Sequence, residues 1–215
     1  MKEVEIIDLS AEQPRKARPV NGKFHHKRDA KDFIIQRNPL DVRGITIHQT
    51  ACVFGPANDP VKKHRRALNI AAHVTAFRDG TVVQGHELRS YVWHGNGLNA
   101  FTLGLECEGV YDGVRIGKPE HPREQIDDVA LASFQAGLKL LVDKGRADGM
   151  PIEYIWAHRQ SHPKKPADPG WEIWQKVVIE FGINALGLKA CRGDTFGGGR
   201  PIPKQWDSKS TAPYA

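Results

Sequence analysis

Two short apolar and β-branched runs each lead into a histidine: Gly-Ile-Thr-Ile-His-Gln-Thr-Ala at 44–51 and Glu-Tyr-Ile-Trp-Ala-His at 153–158. Runs of this length that end in polar residues predict buried strands, with His48 and His158 at their exits. Residues 72–87 alternate apolar and polar positions around Asp79-Gly80, a pair that tolerates positive φ, which predicts two strands joined by a tight turn. Leu-Gly-Leu-Glu-Cys-Glu-Gly at 103–109 places Leu103, Leu105 and Cys107 on one face and Gly104, Glu106 and Glu108 on the other. That strand presents carboxylates to whatever lies on its polar side.

Helical spacing takes over at 124–144, where Ile126, Val129, Ala130, Phe134, Leu138 and Leu141 recur every three or four residues, with Lys144 late and Gly145 as the stop. A shorter amphipathic helix is predicted over 171–182, closed by Gly182. Strands and helices in alternation predict an α/β domain. Residues 11–32 are rich in Lys, Arg, Pro and His without apolar periodicity and read as a solvated arm, with His25 and His26 at the surface. From residue 191 three consecutive glycines and several prolines predict a tail that is only partly tacked down. The expected division is therefore a basic arm at 1–32, one domain at 33–190 and a Gly/Pro-rich tail at 191–215.

A length of 215 residues suits one core. Hydrophobic residues at 40% and charged residues at 26% exclude a fibrous or wholly disordered chain. The first residues lack the layout of a secretory signal, and no apolar run approaches ~18 residues, so synthesis in the cytoplasm without a membrane partner is expected. Three scattered cysteines point to free thiols, with Cys52 and Cys107 as small core residues. A net charge of +6 favours polyanions, and equally serves plain solubility.

Chemistry enters through the histidines. Strand ends and the loops after them are where ligand sites gather in α/β sheets, and the loop after His158, Arg-Gln-Ser-His-Pro-Lys-Lys-Pro-Ala-Asp-Pro-Gly, returns Asp168 ten residues on. Two imidazoles and a carboxylate suit zinc and leave a fourth position for water. On spacing alone core or surface histidines are the stronger account, since the chain has ten and two at strand ends arise often by chance.

Taken in order, Ile-Thr-Ile-His-Gln-Thr-Ala, then Ser-Tyr-Val-Trp-His-Gly-Asn-Gly-Leu-Asn-Ala-Phe-Thr-Leu-Gly-Leu-Glu-Cys-Glu-Gly, then Ala-His-Arg-Gln-Ser-His-Pro-Lys-Lys-Pro-Ala-Asp-Pro-Gly resemble the type 2 N-acetylmuramoyl-L-alanine amidase family over roughly residues 42 to 182. The resemblance implies a single domain with a central mixed sheet flanked by helices and a zinc site at strand ends, with His48, His158 and Asp168 as ligands. It implies Glu106 as the catalytic acid and base, with Glu108 second in line, and matches Asn99, Trp93 and His94 to positions near the substrate groove. His73, at a recurrent family position, reads as a structural histidine. One departure stands out: relatives often carry a lysine two residues before the last ligand, where this chain has Pro166, so Lys165 next to it is the candidate for assisting the oxyanion. The implied partner is peptidoglycan or a muropeptide, cut by a monomer at the bond between N-acetylmuramic acid and L-alanine. The alternatives are a module that binds muropeptide without cutting it, and a nucleic-acid-binding protein, for which no recognition motif is present.

Overall fold

The computed structural model describes residues 3–54, 59–113 and 125–214. Seven strands form one sheet: β1 (Glu5–Asp8), β4 (Gly44–Gln49), β5 (Val74–Ala76), β6 (Thr81–Gln84), β7 (Thr102–Cys107), β8 (Tyr154–Ala157) and β9 (Lys189–Ala190), in the order β1-β6-β5-β7-β4-β8-β9. Only the β5–β6 pairing is antiparallel, so the sheet is mixed. The predicted hairpin is that pair, turned at Gly80 with φ +94. A small separate hairpin joins β2 (Pro19–Val20) to β3 (Lys23–Phe24) through Asn21 and Gly22, both at positive φ.

One face of the sheet is apolar. Ile45, Ile47, Leu103, Leu105 and Cys107 pack there against Phe134, Leu138 and Leu141 of α2 (Asp128–Ala147) and against Val177 and Val178. Fully burying side chains of this size stabilises by ~1.5–3 kcal/mol each. Helix α2 begins where Asp127 accepts from the N–H of Ala130 at 2.8 Å, one of the otherwise unpaired donors of a first turn. The helix runs through Gly145, the expected stop, because a side chain there would meet Ile152 Cγ1 at 3.0 Å; glycine allows that close approach. Termination falls at Gly149, whose φ of +80 is the left-handed end that glycine favours. The second predicted helix starts as α3 (Trp171–Ile173) and widens into π-helical turns over Trp174–Ile183. Leu186 N–H reaches the Phe181 carbonyl five residues back, and Gly182 lies inside, where its missing side chain lets Leu138 approach.

The opposite face is polar and is covered by irregular chain from residues 10–43 and 85–101, with Arg37 as its clamp. Buried Arg37 donates to the carbonyls of Asn99 (3.0 Å), Thr102 (2.6 Å) and Leu88 (2.7 Å). The segment expected as a solvated arm is part of this cover. Its β1 pairs in parallel with β6, Ile7 packs beside Phe77 and Val83, and His26 is buried with its Nε2 at 2.9 Å from His86 Nδ1. An open edge on β6 and a ring with a hydrogen-bonding partner outweigh the segment's polar composition. Cys107 is buried as expected, whereas Cys52 is exposed, because it lies beyond the end of β4 where the sheet no longer covers it. The C-terminal segment is docked: Ile202 and Trp206 are fully buried despite the surrounding glycines and prolines. No helix among the described residues is long and apolar enough to cross a membrane.

Candidate metal and catalytic site

Strands β4, β7 and β8 run side by side in one direction, so their C-terminal ends share an edge of the sheet. His48 pairs in register with Glu106, and Ile47 pairs with Ala157, which sets His158 beside the same edge. The ring centroids of His48 and His158 lie 4.4 Å apart. Asp168 returns on the loop after β8, held at both oxygens: Oδ1 accepts from the Gln49 N–H at 2.9 Å, and Oδ2 lies 3.0 Å from His158 Nδ1. The Arg159 N–H closes this loop on the Asp168 carbonyl at 3.0 Å. His48, His158 and Asp168 are all buried and each offers a ligand atom within 4.8 Å of the others. Atoms bound to a tetrahedral zinc at ~2.0–2.2 Å lie about 3.4 Å apart, so small torsional adjustments close the set on one ion.

Hydrogen bonds fix how His48 is presented. His94 Nε2 faces the Thr102 carbonyl at 3.2 Å; a carbonyl only accepts, so that nitrogen carries the proton. His94 Nδ1 is then an acceptor, and it lies 3.2 Å from His48 Nε2, which must donate. This chain leaves His48 Nδ1 unprotonated and available to a metal, the outer-shell control that metal-binding histidines require. Gly104 makes room for it, since a side chain at that position would strike His94 Cγ at 2.8 Å. Burial, then the neighbouring charges of His158, His94 and Lys165, hold His48 well below the ordinary histidine range. Burial, then Arg37, pushes His94 down to about 3. Neutral rings are the form that binds metal.

Glu106 points to the same place with little to satisfy it. Its Oε2 is enclosed and has no hydrogen-bond partner among the described residues. Burial, then the charge of Asp168, raises its carboxyl well above the usual range, with Lys165 acting in the other direction. A carboxyl so displaced beside a histidine, histidine and aspartate cluster is a candidate for proton transfer. Lys165 is half-buried and its charge reaches both Glu106 and His48, while Lys164 is exposed.

The remaining expected residues divide. His94 is buried, with Nδ1 3.2 Å from His48 Nε2. Asn99 is buried with Oδ1 accepting from the Gly95 N–H, which stiffens the turn under His94. Trp93 is exposed, its ring 5.0 Å from that of Tyr91. His73 is structural, with Nδ1 accepting from the Gly104 N–H at 2.9 Å. Two contributors escaped the sequence reading. Gln49 holds the loops together through Tyr111 N–H and the carbonyls of Tyr111 and Ala167; its place next to His48 was the available signal. Arg37 lies in a stretch with no periodicity and gave none.

The profile of the N-acetylmuramoyl-L-alanine amidase family Amidase_2 matches residues 38–171. A search of curated proteins finds no match. Among solved structures the fold is similar to the endolysin amidase LysCS of Clostridium intestinale, at 16% identity and TM-score 0.52 over 87% of this chain and 99% of that one. It is also similar to the Drosophila peptidoglycan recognition protein SD, at 20% identity and TM-score 0.51 over 82% and 95%. A complex of tracheal cytotoxin with the ectodomains of peptidoglycan recognition proteins LCa and LCx gives 18% identity and TM-score 0.53 over 82% and 96%. With a mixed sheet flanked by helices, a histidine, histidine and aspartate set at its strand ends and a profile match across more than half its length, the chain belongs to the type 2 N-acetylmuramoyl-L-alanine amidase family.

Proposed function

We propose that the protein is a zinc hydrolase that cuts the amide between N-acetylmuramic acid and L-alanine in peptidoglycan or muropeptides. The observation that carries this reading is the pairing of a histidine, histidine and aspartate set with a half-buried glutamate on the adjacent strand whose enclosed Oε2 has no hydrogen-bond partner among the described residues. His48, His158 and Asp168 would hold the ion. Zinc, when bound, supplies positive charge that polarises a carbonyl oxygen and eases the ionisation of water and nearby acids.

The chain's own residues then divide the work. Glu106 takes the proton from the attacking water and passes it to the departing alanine nitrogen. Lys165, the cation whose charge reaches Glu106, assists the oxyanion in place of the lysine that Pro166 displaces. Trp93 offers an exposed aromatic face to sugar or peptide near the groove. A net charge of +6 favours encounter with anionic wall polymer, and the working form is a monomer.

The test is digestion of purified peptidoglycan with products identified by mass spectrometry. Free stem peptides with an alanine amino terminus are expected, absent with chelator and restored by zinc. A zinc-loaded protein that binds the wall and releases no peptide is instead a recognition module.

A further inference from the structure

The loop that carries two of the three metal ligands is held from outside the family-matched residues. Arg159 follows the ligand His158 directly and is fully buried. Its backbone N–H closes the loop on the Asp168 carbonyl, and its own carbonyl accepts from the Arg200 N–H at 2.8 Å. Its guanidinium donates through Nε to the Pro201 carbonyl at 2.9 Å and through Nη1 to the Pro166 carbonyl, two residues before Asp168. The rings of Trp206 and Tyr214 flank it, with centroids 4.9 Å and 5.1 Å from Cζ. Neighbouring contacts reinforce the attachment. The Phe196 N–H donates to the Gln160 carbonyl at 2.7 Å, and Gly199 lies so close to Gln160 that a side chain would strike its backbone at 2.2 Å.

From this geometry we infer that Arg159 is a positioning residue for the metal centre and that the segment 191–214 is the brace that sets it. The profile match ends at residue 171, so the brace lies outside the matched residues. Arginine suits the task because its planar fork reaches two carbonyls at fixed angles while its faces stack on aromatic rings, which a lysine ammonium cannot do. The His158–Asp168 pair is thereby held at a set spacing before metal arrives. The inference rests on the metal reading of the site.

The experiment measures zinc affinity of the full-length protein by competition with a chromophoric chelator, beside the melting temperature of the metal-free form. Arg159→Lys and Trp206→Phe should each weaken zinc about 10-fold or more, the usual effect of losing an outer-shell support. Leu138→Ala, a cavity in the core away from the loop, should lower the melting temperature at least as far and leave zinc affinity unchanged. Equal affinity in wild type, Arg159→Lys and Trp206→Phe overturns the brace and leaves the metal site standing. A wild type that binds no zinc removes the metal reading and this inference with it. If Trp206→Phe fails to fold, Arg159→Lys alone decides.

Discussion

Glu106 and Glu108 sit two residues apart at the end of one strand, and the structure treats them in opposite ways. Glu108 is fully buried and fully employed: its oxygens accept from the N–H groups of Phe54 (2.7 Å) and Arg78 (2.8 Å), and Lys63 Nζ lies 3.4 Å away. Glu106 is enclosed beside Asp168 with an oxygen that has no partner among the described residues. A carboxylate whose two oxygens both accept backbone N–H bonds ties loops together. One denied such partners is left able to exchange a proton. Surroundings, more than residue type, separate the two acids.

The largest effect should come from Glu106→Gln, which keeps shape and removes the proton carrier. Amidase turnover should drop by roughly 10²–10⁴-fold, the usual worth of general acid and base catalysis, with zinc content unchanged in metal analysis. Glu108→Gln should behave in the opposite way. It sets an amide N–H against a backbone N–H, costs about 1–3 kcal/mol in denaturant unfolding, and leaves the turnover of folded protein within a few-fold. If both substitutions reduce turnover alike, the division between the two acids is wrong.

Gly104→Ala probes the ring stack behind His48. Its methyl group would press on His94, so a loss of ~1–3 kcal/mol in stability is expected together with weaker zinc binding, because His94 sets the tautomer of His48. Unchanged zinc affinity would separate His94 from the site.

Acid should expose the cost of burying neutral histidines. His26 is pushed down to about 4, and His86 and His94 to about 3, by burial first in each case. As pH drops below about 6.5 the unfolded chain takes up these protons before the folded one does. Their stabilising contribution is therefore complete above pH ~6.5 and is lost progressively toward pH ~3. Urea midpoints measured in steps from neutral to pH 4 should fall throughout; a flat profile would count against buried neutral rings. Smallest of all should be Lys165→Ala, a reduction of about 10-fold or less in turnover with metal retained, since zinc shares the oxyanion's charge.

Much of this was legible. The strands at β4, β7 and β8, the turn at Asp79-Gly80 and the long helix each follow from local periodicity, and parallel neighbours bring His48, Glu106 and His158 to one edge. Asp168 came from the resemblance and from its stiff loop. What stayed hidden depends on contacts between distant segments. The sequence of residues 11–32 says nothing about the open β6 edge and the His86 ring that recruit their neighbourhood, although Asn21-Gly22 is a hairpin signal in plain view. Gly145 looks like a helix stop until Ile152 is seen against it. Trp206 looks like a tail residue until the ring is found against Arg159. His94, similarly, has a groove position by resemblance and a supporting role by hydrogen bonding.

The most direct test of the account is zinc stoichiometry by elemental analysis, with X-ray absorption to define the ligands, on wild type, Glu106→Gln and a His48→Ala/His158→Ala/Asp168→Asn variant. The account predicts one zinc per chain in the first two, bound by two imidazoles and oxygen donors, and none in the third. Equal zinc in all three, or none in wild type, would contradict it.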